Sequence, residues 1–330
     1  MDKIAIVLPV HNRKGTTLDC LRRLQAIEAE GFEAEIVVVD DGSTDGTSEA
    51  ISQDYPDVTI LKGDGNLWWA GGLNRGFEYA MEKGFNFVYT MNDDIEFFPN
   101  TVQVLYDTLK KRADAVCSSI FFFDRAALKD KSDGDKDEKD FKTDKYIGYV
   151  GFRSCGFFKK MRSPISGPWR DSYAGKIVEA DTLSTKSVLI PVEVIKKVGL
   201  IDSKRFPHNY SDWDYFRSVK SMGFALLVNM DSHIYSRGSD TNYHHLLLNM
   251  NLKDIRKSFF DIKYGNHLKS LYYWATKGEN FIRGHILFAY RMLPYGYWLL
   301  LRIILPKEKL EEILRGRKKG TSDGTPWKRQ

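Results

Sequence analysis

Short apolar runs alternate with helical spacings along the first third of the chain. Ile4–Leu8, Glu35–Val39 and Phe85–Met91 are dominated by apolar, mostly β-branched or aromatic residues, a pattern typical of strands buried on both faces of a parallel sheet. Between them, apolar residues recur at helical spacing over 16–27 and 73–82. This alternation predicts βαβ units with right-handed crossovers. The loops that follow the three apolar runs should therefore open at one edge of the sheet.

Polar stretches divide the rest of the chain. Residues 126–145 form a run of mixed charge with almost no apolar residues, which predicts a solvated surface insertion. Farther on, Asp254–Ala275 and Asn280–Leu305 have helical spacing and are rich in Tyr, Trp, Phe and Leu. We therefore expect an α/β domain over residues 1–238 and a helical region over 239–330.

The last apolar segment, Leu287–Leu305, leaves two interpretations open. Arg291 and Arg302 interrupt it, Pro294 is expected to break it, and a bilayer span needs about 20 apolar residues. A basic, aromatic helix of this kind can lie on a membrane surface, where the cations of the C-terminal tail would favour anionic lipid. It can equally pack as a cap on the α/β domain.

Composition and charge narrow the function classes. The 330 residues are 42% hydrophobic and 28% charged, as in a folded globular protein, and the net charge of +5 is too small to indicate a nucleic-acid partner. An anionic ligand or a membrane surface suits that charge better. The three cysteines are widely spaced, and the N-terminus lacks a signal-peptide pattern, so we expect a cytoplasmic protein, placed at the inner face of the cell membrane if the C-terminal helices bind lipid.

Carboxylates follow two of the predicted buried strands. Asp93 and Asp94 come directly after Phe85–Met91, and Asp41 follows Glu35–Val39 within Val37–Thr47, VVVDDGSTDGT. A carboxylate pair at a strand end suits Mg²⁺ or Mn²⁺, which prefer oxygen ligands and keep positions for phosphate. The alternatives are a solvated acidic turn for the pair, and turn or helix-cap chemistry for Asp41.

The segment 63–76, GDGNLWWAGGLNRG, is the most unusual in the chain. Its glycines let a backbone approach a ligand closely, and the helix that follows would present its N-terminus to phosphate. Neither a GxGxxG fingerprint nor a P-loop is present, which argues against a dinucleotide-binding or P-loop protein.

Three of these stretches, Ile4–Arg13, Val37–Thr47 and Tyr89–Glu96, together resemble the inverting glycosyltransferases of family 2, of the rhamnosyltransferase-like, polysaccharide-assembly type. The resemblance continues through Thr185–Gly223. It implies an α/β, GT-A-like fold with a mostly parallel central sheet and a C-terminal helical appendage. It also implies transfer of a sugar from a nucleoside-diphosphate sugar, UDP-hexose or dTDP-rhamnose, to a hydroxyl of a glycan or lipid-linked glycan.

The resemblance assigns roles to individual residues. It makes Asp212 the general base, with Asp214 as a supporting acid, and it makes Asp94 and Asp93 ligands of Mn²⁺ or Mg²⁺, with Asn92 replacing the first acid of the family motif. The resemblance also makes His233 a metal ligand, although it is out of register. Arg237 would contact the diphosphate instead, and His244 and His245 are further alternatives. The predicted donor-binding residues are Pro9, Val10, His11, Arg13, Asp41, Asn66, Trp69, Gly71, Gly72, Asn74, Asn92 and Asp93.

Two other functions remain open from the sequence. A sugar nucleotidyltransferase would also use carboxylates and a nucleotide, but the Gly-rich, Arg-containing loop expected after its first strand is missing. A non-catalytic glycan-binding protein could keep the same fold, although the presence of both Asp94 and Asp212 argues against it.

Overall fold

The structure is a computed structural model, described here for residues 1–123, 146–155, 160–165, 167–236, 251–310 and 312–313. The predicted charged insertion at 126–145 lies outside the described residues. The chain divides into two compact units. The first contains Met1–Pro207 and Ser211–Gly238, and the second contains His208–Tyr210 and Ser239–Gln330.

The first unit is built on one large mixed sheet. Its strands are β1 (Asp2–Val10), β2 (Phe32–Asp40), β3 (Thr59–Lys62), β4 (Phe87–Met91), β5 (Ile95–Phe97), β6 (Ala115–Phe123), β7 (Tyr146–Tyr149), β10 (Gly167–Pro168), β11 (Ile177–Glu179), β12 (Ser187–Pro191) and β13 (Ala225–Ser236), with β8 (Arg153–Cys155) and β9 (Lys160–Arg162) forming a separate pair. Its helices are α1 (Lys14–Leu24), α2 (Thr47–Asp54), α3 (Trp68–Glu82), α4 (Thr101–Lys111), α5 (Val192–Val198) and α6 (Ser211–Ser221), with a 3₁₀ turn at Asp171–Tyr173.

The main path of the sheet has the order β10-β7-β6-β12-β4-β1-β2-β3. Strands β3, β2, β1 and β4 pair in parallel, as the βαβ pattern predicts, whereas β12 is antiparallel to both β4 and β6. Strand β13 runs parallel to β6 and antiparallel to β5 and β11. The carboxyl ends of β1, β2 and β4 therefore meet at one edge, where the predicted site residues lie.

Side chains alternate along β1 between two apolar layers. Ile4, Ile6 and Leu8 join a cluster that includes the buried residues of α1 and α4, and Ala5 and Val7 join the cluster beneath α3. Helix α3 packs so closely on β1 that a Cβ built on Gly76 would lie 2.3 Å from the Cγ1 atom of Val7. Glycine is therefore needed there for packing, whatever its relation to a ligand.

The described part of the second unit contains the helices α7 (Leu252–Ser258), α8 (Leu268–Thr276) and α9 (Phe281–Ile304). Its small core includes Ile255, Phe259 and Trp298, and the Arg291 guanidinium lies 4.4 Å from the ring centre of Trp274. None of the described helices is both long enough and apolar enough to pass through a bilayer.

Several predicted boundaries are wrong, each for a physical reason. The predicted single helix 254–275 is two helices, α7 and α8, separated by a turn-containing segment. Pro294 does not break α9, which continues through it because flanking side chains such as Trp298 are held in the core. In addition, α3 begins five residues earlier than the apolar spacing over 73–82 predicted.

Candidate active site

The loops after β1 and β2 are joined side by side. The His11 ring donates from Nδ1 to the Asp41 carbonyl at 2.6 Å, because a carbonyl can only accept, and its Nε2 then accepts from the Asn12 amide at 2.9 Å. The Asn12 side chain also accepts from the Thr44 backbone N–H at 2.7 Å. These hydrogen bonds hold the loops after β1 and β2 together at this edge of the sheet.

Two neighbouring carboxylates share one cation at this edge. The Arg13 guanidinium lies 3.3 Å from Asp93 and 3.1 Å from Asp94, and the Thr17 hydroxyl donates to Asp93 at 3.0 Å. The Asp93 side chain is 4% exposed and that of Asp94 is 41% exposed. Burial raises the pKa of the Asp93 carboxyl, the Arg13 charge opposes that rise, and the Asp94 charge adds to it.

Asn92, which directly precedes the two carboxylates, is a third side chain that carries an oxygen. Its side-chain Oδ1 is buried and has no hydrogen-bond partner among the described residues, which is costly for an amide oxygen. Its backbone N–H donates to the Lys186 carbonyl at 3.3 Å. Two carboxylates and an amide oxygen suit Mg²⁺ or Mn²⁺, which proteins often hold by one or two carboxylates together with substrate phosphates. Within the described ranges no cluster of three His, Cys, Asp or Glu side chains forms a complete metal cage.

His233 is a correction to the predicted metal ligands. Its Nε2 donates to the Met230 carbonyl at 2.7 Å, and its ring packs against three aromatic rings, those of Phe98, Phe122 and Trp169. On β13 it is Ser236, not His233, that pairs with Ile95 next to Asp94. His233 therefore has a structural role, and its predicted alternatives at 237, 244 and 245 lie outside the described residues.

Asp212 lies in the first turn of α6. Its Oδ1 accepts from the N–H of the adjacent Trp213 at 2.9 Å, so it is inside the helix rather than at the cap position. Burial raises the pKa of the Asp212 carboxyl, and hydrogen bonds from Trp213 and Ser184 together with the Lys186 charge oppose the rise. A carboxyl with a raised pKa is a better proton acceptor than an ordinary aspartate.

The segment 184–186 connects Asp212 to the carboxylate pair. It leads into β12, whose first residue Ser187 pairs with Met91 at the end of β4. The Lys186 carbonyl accepts from Asn92, and Ser184 and Lys186 interact with Asp212. Asp212 therefore lies at the same edge as Asp93 and Asp94, although more than 100 residues separate them in sequence. Ser184 and Lys186 were not predicted as site residues, because only the pairing of β12 with β4 shows that they lie at this edge.

Asp41 differs from its predicted role. Its carboxylate accepts three backbone N–H groups, from Gly65 at 2.8 Å, Leu67 at 3.2 Å and Trp68 at 2.9 Å. Trp68 starts α3 with a φ of 57°, a conformation that such an anchor stabilises. The structure thus uses Asp41 to hold the glycine-rich segment in shape.

Four other residues that were predicted to contact the donor make hydrogen bonds or packing contacts within the fold. Asn74 is buried, donating to the Ile201 carbonyl and accepting from the Ile201 N–H, both at 2.8 Å. Trp69 donates from Nε1 to the Thr185 hydroxyl at 2.8 Å. A Cβ on Gly72 would lie 2.8 Å from Pro9, and a Cβ on Gly71 would lie 3.2 Å from Leu67. These four residues have packing or hydrogen-bonding roles within the fold, and their contact with a donor stays a prediction, whereas Asn66 is exposed at the segment's surface.

The residues that the structure leaves facing the edge form a shorter set. Pro9, Val10, His11 and Arg13 belong to the end of β1 and the loop after it. Together with Asn66, the carboxylate cluster and Asp212, they surround the ends of the parallel strands. In open α/β sheets, ligands bind outside the carboxyl ends of the strands.

Comparisons with known proteins show what part of the chain resembles. Residues 5–163 match the family model described as Glycosyl transferase family 2. The chain is 31% identical over 84 residues to an N-acetylglucosaminyl-diphospho-decaprenol L-rhamnosyltransferase of Mycobacterium tuberculosis, covering 23% of this chain and 27% of the relative. It is 30% identical over 126 residues to an undecaprenyl-phosphate 4-deoxy-4-formamido-L-arabinose transferase of Pseudomonas aeruginosa, covering 36% and 35%. The chain thus spans only about a third of the length of these two relatives.

Solved structures extend the likeness to the fold. GalNAc-T7 with UDP, GalNAc and Mn²⁺ matches 79% of this chain and 50% of its own, with a TM-score of 0.54 and 13% identity. The mannosyltransferase PcManGT from Pyrobaculum calidifontis, in complex with GDP-Man and Mn²⁺, matches 98% of this chain and 88% of its own, with a TM-score of 0.50 and 15% identity. At these identities the likeness concerns the fold alone. Residues 5–163 are therefore similar to a family 2 glycosyltransferase domain, and the fold of the chain is of the GT-A type.

Proposed function

We propose that this protein transfers a sugar from a nucleoside-diphosphate sugar to a hydroxyl of a glycan or lipid-linked glycan, with inversion at the anomeric carbon. The observation that carries the proposal is the meeting of Arg13, Asp93, Asp94 and Asp212 at the carboxyl edge of the parallel strands. UDP-hexose and dTDP-rhamnose remain the donors to test, since the M. tuberculosis relative is named a rhamnosyltransferase.

The donor's charged end fits the Arg13 and Asp94 side of the site. Asp94, Asp93 and the orphaned Asn92 oxygen would hold Mn²⁺ or Mg²⁺, which neutralises charge on a leaving diphosphate when it is bound. Arg13 carries a fixed positive charge and is 41% exposed, so it is available to the same phosphates. The loop after β1, with Pro9, Val10 and His11, would contact the nucleoside, and Asn66 would reach the donor from the glycine-rich segment.

Asp212 would act on the acceptor. The acceptor oxygen attacks the anomeric carbon from the face opposite the diphosphate, a new glycosidic bond forms, and the bond to the diphosphate oxygen breaks. The acceptor proton passes to the Asp212 carboxylate, and the nucleoside diphosphate leaves. No protein nucleophile is needed, because a single displacement already inverts the centre.

The setting follows from the acceptor class. The printed names of both relatives refer to lipid-linked carriers, a decaprenol diphosphate in one and an undecaprenyl phosphate in the other. A water-exposed site that reaches such an acceptor would work beside a membrane. We therefore extend the proposal to peripheral contact with the inner face of the cell membrane.

Nucleotide binding and product identity test the proposal. The full-length protein is incubated with UDP-hexoses or dTDP-rhamnose, Mn²⁺ and a lipid-linked glycan acceptor. Release of nucleoside diphosphate is expected, whereas a nucleotidyltransferase would form or consume pyrophosphate. In thermal-shift titrations UDP or dTDP should raise the melting temperature only with Mn²⁺ or Mg²⁺ present, because a ligand that binds the native state stabilises it.

The Asp94→Ala variant isolates the metal assignment. It should lose metal-dependent transfer and the metal-dependent part of the nucleotide shift. Asp57→Ala provides the matched control, since Asp57 is exposed ahead of β3, at the other end of the strands. Full activity of Asp94→Ala in the presence of EDTA would refute the assignment.

A further inference from the structure

Every exposed residue of α9, a helix that is described from end to end, is apolar, aromatic or glycine. These residues are Phe281, Ile282, Ile286, Ala289, Leu293, Pro294, Gly296, Tyr297, Leu300, Ile303 and Ile304. A helix on the surface of a water-soluble domain normally turns a charged or polar face to solvent. The exposed face of α9 thus has the opposite character from the one that water favours.

The largest of these side chains form one continuous stripe. Six of them recur at spacings of four, seven, four, three and four residues, which at 100° per residue places them within an arc of about 60°. Their exposed fractions run from 43% to 72%. The helix of 24 residues is about 36 Å long. We call this set the α9 stripe: Ile282, Ile286, Leu293, Tyr297, Leu300 and Ile304.

Charges around the α9 stripe have one predominant sign. The helix contains Arg283, Arg291 and Arg302 and no acidic residue. Lys277 precedes it, and Lys307 and Lys309 follow it. The acids close to its ends are Glu279, which pairs with Arg283 at 3.2 Å, and Glu308, Glu311 and Glu312. Beyond residue 313 the sequence adds six cations, Arg315, Arg317, Lys318, Lys319, Lys328 and Arg329, against Asp323.

We propose that the α9 stripe lies on an anionic lipid bilayer, with the helix parallel to the membrane surface. The α9 stripe has cations near both of its ends, Lys277 and Arg283 at one and Lys307 and Lys309 at the other, which suits the boundary between acyl chains and negative headgroups. A second copy of this chain fits less well, because stripe-to-stripe contact would bring two sets of cations together. The C-terminal tail is also a poor cover, since residues 314–330 contain few apolar side chains beyond Leu314 and Trp327.

Vesicle co-sedimentation of the full-length protein tests the α9 stripe. Vesicles of phosphatidylglycerol and phosphatidylcholine in equal parts should bind the protein at 0.1 M salt, and pure phosphatidylcholine should bind it much less. Raising the salt to 0.5 M should weaken binding, because screening shortens the reach of the cations. The Leu293→Gln/Leu300→Gln double variant should bind at least tenfold more weakly, since it removes two apolar side chains from the contact.

The matched control is Leu200→Gln/Met222→Gln. These two residues are exposed apolar side chains of the first unit, 40% and 61% exposed, and their replacement should leave vesicle binding unchanged. Sedimentation velocity of the same proteins tests the alternative, in which a second copy of this chain covers the α9 stripe. Wild-type protein that ignores anionic vesicles overturns the proposal, as does a stripe variant that binds vesicles normally but changes from dimer to monomer. Vesicle binding needs no sugar transfer, so failure of the proposed reaction would not affect this result.

Discussion

Asp212→Asn distinguishes a catalyst from a binding protein with the same fold. The substitution keeps the size of the side chain and the oxygen that accepts the Trp213 N–H at 2.9 Å. The bond with Ser184 can also be kept, because a hydroxyl accepts as readily as it donates. The change therefore removes the ability to take a proton and little else.

The expected losses differ between rate and stability. Loss of a general base lowers the rate by about 10²–10⁴-fold. Affinity for nucleotide and metal should stay the same, because the base acts mainly in the transition state. The native state should be no less stable at pH 7, since the variant no longer pays for keeping a charged carboxylate half-buried.

The raised pKa of Asp212 determines the sign of the pH effects. The folded protein binds the Asp212 proton more tightly than the unfolded chain does, so this group's contribution to stability falls as pH rises from the ordinary aspartate value through the folded pKa. Transfer should change in the opposite direction. It should be lost as pH falls through the folded pKa, because the protonated carboxyl cannot accept a proton.

The assay measures transfer rate, nucleotide affinity and melting temperature on one preparation across pH. The acidic limb of the rate profile should be present in the wild type and absent from what activity remains in Asp212→Asn. Near-normal transfer by the variant would remove Asp212 as the base and direct attention to Asp214. A large fall in melting temperature would show that the role of Asp212 is structural.

Two further pairs of variants compare a residue that is engaged within the fold with one that is not. Asn74→Ala should lower the free energy of unfolding by about 2–4 kcal/mol, because it leaves the buried N–H and carbonyl of Ile201 unpaired; Asn66→Ala should leave stability unchanged and weaken donor binding, and equal unfolding curves for the two would contradict this division. Gly76→Ala should destabilise by about 1–3 kcal/mol or more, since its Cβ would meet a buried valine of β1 at 2.3 Å. Gly15→Ala should instead stabilise α1 by up to about 1 kcal/mol, because nothing lies within 4 Å of a Cβ there, and urea unfolding that ranks the pair in the reverse order would refute the packing argument.

The elements predicted best have a clear sequence pattern. A strand that is buried on both faces has an unbroken apolar run, and a helix that is buried on one face has a regular amphipathic spacing. The predicted strands Ile4–Leu8 and Glu35–Val39 lie inside β1 and β2, because each is an almost unbroken apolar run. The start of α3 was missed for a different reason. It depends on three N–H groups finding the Asp41 carboxylate, an interaction between residues more than 20 positions apart that periodicity does not contain.

The same distinction applies to the site. Asp93 and Asp94 could be placed from sequence because they directly follow a strand, and the strand's direction determines the edge to which they belong. Asn74 was assigned to the donor through the family resemblance, and Trp69 because an aromatic ring can stack on the face of a sugar. Their partners, Ile201 and Thr185, are more than 110 residues away, so only the folded chain shows that they are already engaged.

Charge balance connects the parts of the proposed site. Asp93 and Asp94 together carry two negative charges when ionised, and Arg13 supplies one positive charge, so the cluster keeps an excess negative charge at a half-buried edge. Under the proposed function that excess would favour a divalent cation, and a bound cation would make the cluster positive and able to attract a diphosphate. Under the proposed reaction the cation should therefore strengthen nucleotide binding, and by linkage the nucleotide should strengthen cation binding by the same factor. Arg13 would act both before and after the cation binds. Before, it offsets the repulsion between the two carboxylates, and afterwards it shares the charge of the phosphates.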